Sequence, residues 1–140
     1  SMDKPVISGD TIVVPSSTEH LADVDLFIEG TLRGYGAQES VIADIAISVS
    51  ELVNNAILHG NRSAPDKNVT VQITRENSAV RISVADQGDG FNPEVIENPI
   101  EDDNLLKEVG RGIFIVRALM DSVDISATAH GTTIVITKAI

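Results

Sequence analysis

The sequence predicts a protein of the α/β class, more narrowly α+β. We expect a two-layer sandwich whose mixed, mostly antiparallel sheet of about five strands carries about three helices on one face. The candidate strands alternate apolar and polar residues, which is typical of a sheet buried on one face only. Three other segments repeat apolar residues at helical spacing. The 140 residues, 42% of them apolar, are enough for one domain with a core, spanning residues 1–140.

The elements follow a simple order: a strand, two helices, a hairpin, a third helix and a second hairpin. The first hairpin turns at Asn77-Ser78 and the second near His130-Gly131, where turn-favouring residues separate alternating segments. We predict strands over residues 10–15, 69–74, 80–86, 123–128 and 132–138, and helices over residues 18–33, 39–59 and 112–121. Residues 87–109 are predicted to be irregular, because glycines, prolines and acids interrupt any periodicity.

The composition excludes several classes of function. The chain has 21 acidic and 10 basic residues, a net charge of −11 and no cysteine. Such acidity argues against nucleic acid and anionic membranes as partners, and the missing thiols exclude disulfides and thiolate zinc sites. Neither a signal peptide nor an uninterrupted apolar run of about 18 residues is found. We therefore expect a cytoplasmic protein, with Ser1 before Met2 left by cloning.

The second helix carries a row of chemically active side chains. Glu51, Asn55 and His59 recur every four residues, so they lie one turn apart on one side of the helix. A carboxamide oxygen can bind Mg²⁺, and a carboxylate one turn away can take a proton from a hydroxyl. The alternative is an ordinary solvated helix face.

Asp86 breaks the pattern of its strand. Counting by twos from Val80 places Asp86 on the apolar face, where a carboxylate is costly unless a donor satisfies it. Gly88 and Gly90 follow directly and would let the backbone approach a ligand. We therefore predict a carboxylate at the floor of a pocket, with an Asx-turn that merely ends the strand as the alternative.

Two further features follow Asp86. Gly110-Arg111-Gly112 is placed at the start of the third helix, where free N–H groups could bind a phosphate, although glycines often begin helices without any ligand. The segment 91–109 contains six acidic residues and one lysine. An irregular segment of this length is typical of a lid over a site or of a solvated connector.

Together these segments resemble the GHKL (Bergerat-fold) ATPases, and within them the bacterial anti-sigma-factor serine/threonine kinases. SELVNNAILHG (50–60) is similar to the family's N box, and DQGDGF (86–91) to its first glycine box. GRGIFIVRALMD (110–121) is similar to the second glycine box, and GTTIVI (131–136) to the closing strand. The resemblance extends in the same order over about residues 8–138.

The resemblance implies roles in ATP and Mg²⁺ binding and in catalysis. Asn55 occupies the position of the Mg²⁺ ligand, and Glu51 that of the general base that activates the substrate hydroxyl. Asp86 matches the carboxylate that accepts the amino group of adenine. Gly88 and Gly90 would line the nucleotide.

Six further residues are candidates for contact with the nucleotide. Gly110 and Gly112 match the hinge of the ATP lid, which would span residues 91–109. Thr132 matches a hydroxyl near adenine, and His59 a histidine near the phosphates. Arg111 and Lys107 are candidates for phosphate contact by position and charge.

The function that the resemblance implies is a protein kinase. Such a kinase binds Mg·ATP and a sigma factor, phosphorylates a Ser or Thr of an anti-anti-sigma protein of the STAS class, and forms a homodimer through its sheet. Two alternatives remain: a non-catalytic module that binds partners under the control of ATP, and the ATP-binding domain of a histidine kinase.

Overall fold

A computed structural model describes residues 2–89 and 104–140 of the chain. Its described strands form one sheet, and each pair of neighbours runs antiparallel. The strands are β1 (Val6–Ser8), β2 (Thr11–Pro15), β3 (Asn68–Glu76), β4 (Ala79–Ala85), β5 (Ser122–Thr128) and β6 (Gly131–Ala139), in the spatial order β1-β2-β3-β4-β6-β5.

Three α-helices lie in the described part of the chain. They are α1 (Leu21–Gly34), α2 (Glu39–Asn55) and α3 (Asn104–Leu119). A 3-10 turn, Thr18–His20, leads into α1. One turn of π-helix, Ala56–Gly60, continues α2, and the N–H of Asn61 donates to the carbonyl of Ala56 at 2.8 Å.

The core lies between the helices and one face of the sheet. Inward residues of β3 and β4, such as Val71, Ile73, Ile82 and Val84, are at most 2% exposed, while the residues between them are half-buried or exposed. Helix α2 packs between α1 and α3. The predicted fold class, with helices on one face of a largely antiparallel sheet, is confirmed.

The sheet has one strand more than predicted. β1 pairs with β2 through three residues, Val6–Ser8, all of them exposed. A strand this short, with no buried face, has no alternation that would distinguish it from a loop.

The start of the third helix was predicted wrongly. The structure begins α3 at Asn104, so residues 104–109 are helical instead of irregular and Gly110–Gly112 lies inside the helix. Val109 and Ile113, one turn apart, are 3% and 2% exposed, and this packing outweighs the poor helix propensity of the glycines. The predicted phosphate site at a helix start therefore does not exist at these glycines, because only the first four N–H groups of a helix lack partners.

Helix α2 is apolar enough overall to resemble a membrane-spanning helix, although polar residues interrupt its apolar sequence. Among the described helices, the segment Glu39–Gly60 is the one long and apolar enough to cross a bilayer, and 56% of its apolar 18-residue stretch is buried inside the domain. Its most buried side chains are Ile42, Ile45, Val49, Leu52, Val53 and Ile57. Packing in the core accounts for its hydrophobicity.

Candidate nucleotide site

A small cavity lies where β4 ends, between the sheet, α2 and α3. Six apolar side chains and three polar ones line it: Leu52, Ala56, Val84, Val109, Ile113 and Ile134, with Asn55, Asp86 and Thr132. Its volume is about 20 Å³, which admits roughly one water molecule. An apolar lining with a few converging polar groups is the usual form of a small-molecule site.

Asp86 is held at this cavity through one of its two carboxylate oxygens. The backbone N–H groups of Gly88 and Thr132 each donate to Asp86 Oδ1 at 3.0 Å. The backbone N–H of Asp86 donates in turn to the carbonyl of Thr132 at 2.9 Å. Because Oδ1 already accepts two bonds, Oδ2 is the oxygen left for a ligand donor.

Glycines surround Asp86 at three points of close approach. A Cβ atom on Gly60 would collide with Asp86 Oδ2, and one on Gly131 with the carbonyl of Asp86. A Cβ atom on Gly88 would collide with the carbonyl of Gly60. The backbones of three distant segments therefore meet at Asp86, and only glycine fits at these contacts.

Two polar atoms at the cavity are buried without a partner among the described residues. They are Nδ2 of Asn55 and Oγ1 of Thr132, in side chains that are 8% and 3% exposed. Buried polar groups are nearly always hydrogen-bonded in native proteins. The cavity thus offers an acceptor at Asp86, a hydroxyl at Thr132 and an amide at Asn55, and these groups suit the base and phosphates of a nucleotide.

A second, open groove of about 400 Å³ runs between α2 and α3 on the other side of Asn55. It is lined by Glu51, Asn54, Asn55, His59, Glu108, Arg111, Gly112 and Ile115. His59 Nε2 and Glu108 Oε2 lie 3.2 Å apart across it. Asn55 belongs to both the cavity and the groove, so a ligand with its base in the cavity could extend its phosphates into the groove.

Gly112 brings α3 against the catalytic candidates of α2. A Cβ atom on Gly112 would lie 2.9 Å from Asn55 Nδ2 and 3.2 Å from Glu51 Oε2. The glycine therefore sets the distance between the two helices at the groove.

The structure brings most of the predicted site residues together. Asn55, Asp86 and Thr132 line the cavity, while Glu51, Asn55, His59, Arg111 and Gly112 line the groove. Gly88 binds Asp86 through its N–H. Lys107 and Gly110 lie on α3 and are not among the described residues that line either space. Gly90 and residues 91–103 of the predicted lid lie outside the described residues.

Three residues at the site have no role among the predictions from the sequence. Gly60 and Gly131 make the close approaches described above, and Asn61 is 1% exposed. The Asn61 carboxamide accepts from the N–H of Gln87 at 2.7 Å and donates to Ser16 Oγ and to the carbonyl of Asn68, each at 2.9 Å. Gly60-Asn61 directly follows the predicted helix over residues 39–59, where such a pair ordinarily does no more than end a helix, so the local pattern does not reveal these contacts.

The known proteins that this chain resembles agree with a nucleotide site at this position. The family model of the histidine kinase-like ATPase domain matches residues 14–138. A serine-protein kinase RsbW of Staphylococcus aureus is 33% identical over 136 aligned residues, which cover 91% of this chain and 84% of that protein.

Solved structures share the fold. A crystal structure of the RsbU and RsbW domains of a Mycobacterium tuberculosis protein matches with a TM-score of 0.64 and 24% identity, over 92% of this chain and 32% of the other. The catalytic domain of the histidine kinase ThkA matches with a TM-score of 0.58 and 16% identity, over 89% of this chain and 92% of the other. At these identities the two matches establish the architecture alone.

Proposed function

This chain belongs to the family of histidine kinase-like ATPase domains, and we propose that it is an ATP-dependent protein serine/threonine kinase of the anti-sigma-factor type. Its similarity to a serine-protein kinase over nine-tenths of its length supports the proposal. The observation that carries it is the position of Glu51. This carboxylate lies in the open groove beside Asn55, next to the cavity that Asp86 and Thr132 line. A hydroxyl group of a protein substrate can therefore reach the Glu51 carboxylate from solvent.

We assign the cavity to the adenine ring of ATP. Asp86 Oδ2 accepts a hydrogen bond from the amino group of adenine, since Oδ1 is engaged by two backbone donors. Thr132 Oγ1 bonds a ring nitrogen directly or through one water. The apolar walls from Leu52, Val84 and Ile134 cover the faces of the ring. Gly88 and Gly90 are proposed to contact the nucleotide.

The groove between α2 and α3 is assigned to the phosphates. Asn55 Nδ2, His59 and Arg111 are its candidate phosphate donors, with Lys107 and the Gly110–Gly112 segment of α3 beside it. Among the described residues, no group of three or more His, Asp and Glu is arranged to hold a metal ion. Mg²⁺ commonly binds through one or two protein oxygens together with substrate phosphates and water, so Asn55 Oδ1 is a sufficient protein ligand. When bound, Mg²⁺ neutralises charge on the phosphates.

Glu51 is proposed to act as the general base. Its carboxylate takes the proton of the Ser or Thr hydroxyl, and the hydroxyl oxygen bonds to the γ-phosphorus. The bond from that phosphorus to the β–γ bridging oxygen breaks, and ADP leaves. Catalysis of phosphoryl transfer depends mainly on positioning and charge neutralisation, and the residues of the groove provide both.

The proposed partners are those of a sigma-factor regulatory system. We propose a STAS-type anti-anti-sigma protein as the phosphate acceptor and a sigma factor as the second partner, in the cytoplasm. A homodimer is also proposed. It is supported by exposed apolar side chains at the free edge of the sheet and on α1, namely Val6, Ile7 and Leu26, which are 51%, 59% and 70% exposed. Residues 1–140 are proposed to act as one domain, with residues 91–109 as its lid.

The proposal is tested by incubating the chain with [γ-³²P]ATP, Mg²⁺ and the STAS proteins encoded in the same genome. Wild type should label one of them on Ser or Thr, and EDTA should abolish the labelling. Glu51→Ala should reduce labelling by about 10²–10⁴-fold, which is the usual contribution of a general base, and should leave ATP binding nearly unchanged. Glu29→Ala, which removes a carboxylate from α1, serves as the control.

Other outcomes distinguish the remaining functions. Labelling of Glu51→Ala at the wild-type rate would refute the general-base assignment. ATP binding without transfer to any STAS protein would favour the non-catalytic module. Label on a histidine, which is stable to base and labile to acid, would instead indicate a histidine kinase.

A further inference from the structure

The first turns of α3 reach into both parts of the proposed nucleotide site. Val109 and Ile113 line the cavity assigned to the base and are 3% and 2% exposed. Glu108, the residue before Val109, lines the groove assigned to the phosphates. A carboxylate and an apolar side chain that are neighbours in the chain therefore lie where the phosphates and the base of one ligand would lie.

The cavity is filled in this conformation. Its volume of about 20 Å³ has room for roughly one water molecule, so a purine cannot enter while Val109 and Ile113 keep their places. Both side chains belong to the hydrophobic core. Withdrawing them exposes apolar surface to water, and this cost opposes binding of the base.

The groove holds a carboxylate where an anionic ligand would bind. Glu108 Oε2 lies 3.2 Å from Nε2 of His59, which is one of the candidate phosphate donors. The side chain of His59 is 13% exposed and that of Glu108 is 55% exposed. A phosphate group that takes this nitrogen must displace the carboxylate, which repels it because both are negative.

From this arrangement we propose that the start of α3 is an internal competitor of ATP. Val109 and Ile113 take the place of the base, and the Glu108 carboxylate takes the place of a phosphate, so ATP binds only when these side chains withdraw. The inference rests on the proposed function, because it takes the cavity and the groove as the ATP site. It assigns to Glu108 a role in setting the affinity for phosphate groups.

The two parts of the competitor oppose different parts of the ligand. The apparent Kd of a ligand is its intrinsic Kd divided by the fraction of protein in the competent conformation. Loss of packing at Val109 raises this fraction for every ligand that carries the base. Glutamine at position 108 keeps the shape of the side chain and an acceptor for His59, so it relieves only the competition between negative charges and favours only ligands that carry phosphates.

The test compares the Kd values of ATP, ADP and adenosine, measured by calorimetric titration in the presence of Mg²⁺, for wild type, Val109→Ala and Glu108→Gln. We expect Val109→Ala to bind all three ligands about three- to tenfold more tightly, since the lost packing favours withdrawal of α3. We expect Glu108→Gln to bind ATP and ADP about fivefold more tightly, as for one charge close to another in water, and adenosine within about twofold of wild type. Added salt should reduce the gain of Glu108→Gln.

Two substitutions in α1 are the matched controls. Val24→Ala shortens a core side chain that is 1% exposed. Glu29→Gln neutralises a carboxylate whose Oε2 lies 3.7 Å from Nη1 of Arg33. Neither residue lines the cavity or the groove, so all three Kd values should stay within about twofold of wild type.

Two results would overturn the inference while leaving the proposed function intact. One is unchanged or weaker binding of the three ligands by Val109→Ala, which would make Val109 a wall of the occupied site. The other is a gain for ATP in Glu108→Gln that is absent or no larger than the gain for adenosine. Glu108 is exposed, so this second comparison decides the matter even if Val109→Ala does not fold. If wild type does not bind ATP, the proposed function itself fails.

Discussion

Asn61 joins three loops around the proposed adenine cavity. Its carboxamide accepts from Gln87 N–H and donates to Ser16 Oγ and the carbonyl of Asn68. Gln87 lies between Asp86 and Gly88, and its own side chain accepts from the N–H of Asn68 at 2.7 Å. Asn61 therefore acts as a positioning residue, because it holds the turn that orients Asp86.

We expect Asn61→Ala to lower the free energy of unfolding by about 2–3 kcal/mol. The substitution leaves buried donors and acceptors unpaired, and each such group costs about 1–3 kcal/mol. ATP should also bind more weakly, because the turn at Asp86 loses its anchor. Urea unfolding and calorimetric titration with ATP measure the two effects.

A control from another turn makes this experiment specific. Asn77 is exposed and has a φ of 57°, which glycine adopts easily, so Asn77→Gly should change neither quantity. If Asn61→Ala had the same free energy of unfolding and the same affinity for ATP as Asn77→Gly, the positioning role of Asn61 would be wrong.

The direction of individual side chains was largely predictable at this scale. Strand alternation placed Asp86 on the apolar face, and the structure has it lining the cavity with Val84 and Ile134. The alternation could not show which carboxylate oxygen is engaged. That depends on Thr132 and Gly88, and the N–H of Thr132 comes from a strand 46 residues away.

At the scale of elements, α2 and α3 together form the groove. The four-residue spacing predicted that Glu51, Asn55 and His59 lie along one side of α2, and all three line the groove. The π-helical turn Ala56–Gly60 was not predictable from that spacing. It adds a residue to the last turn, and such turns often occur at functional sites.

Helix α3 fills one wall of the adenine cavity. Val109 and Ile113 both line it, and the remaining space of about 20 Å³ is far smaller than a purine. The contact between Glu108 Oε2 and His59 Nε2, which lie 3.2 Å apart, holds the same part of α3 against α2. Entry of the base therefore requires the first turns of α3 to move away from α2.

The substitution Gly112→Ala tests whether Gly112 is needed for phosphoryl transfer, since alanine by itself favours the helix. Alanine favours a helix interior by about 1 kcal/mol over glycine. The new Cβ would lie 2.9 Å from Asn55 Nδ2 and 3.2 Å from Glu51 Oε2 and would push both side chains out of place. We expect phosphoryl transfer to fall at least about tenfold, because such displacements are costly in catalysis.

Gly30→Ala in α1 is the matched control for this change. A Cβ atom on Gly30 would meet no atom within 4 Å, so the alanine should stabilise the fold by about 0.5–1 kcal/mol and leave transfer unchanged. Equal transfer rates for the two variants would show that close packing at Gly112 is unimportant.

The error at the start of α3 has a physical origin. In the local sequence, Gly110 and Gly112 favour a helix boundary, and the acidic residues before them favour a loop. The helix continues through the glycines because Val109 and Ile113 pack in the core and Gly112 lets α3 approach α2. These tertiary contacts are invisible to sequence periodicity.

At the scale of the whole molecule, the charge is distributed unevenly. The chain has a net charge of −11, while α3, which borders the proposed phosphate groove, has a net charge of +2. The acidity therefore disfavours extended polyanions such as nucleic acid, and a single nucleotide beside α3 remains compatible with it. The alternation of the strands predicted the one-sided sheet, but the exposed edge strand β1 carried no such signal.

The central claim is that ATP binds to the folded protein through Asp86. Asp86→Asn keeps Oδ1 as the acceptor for Gly88 and Thr132, and it replaces Oδ2 by an amide group that cannot accept from adenine. A ligand present at 100 times its Kd stabilises the folded state by about 2.7 kcal/mol, which raises the Tm of a domain of this size by several degrees.

The most direct measurement is the Tm of wild type and Asp86→Asn with and without Mg·ATP. We expect saturating ATP to raise the Tm of wild type by several degrees and that of Asp86→Asn hardly at all at the same concentration. An equal rise in both proteins would contradict the assignment of Asp86 and, with it, the placement of adenine in the cavity.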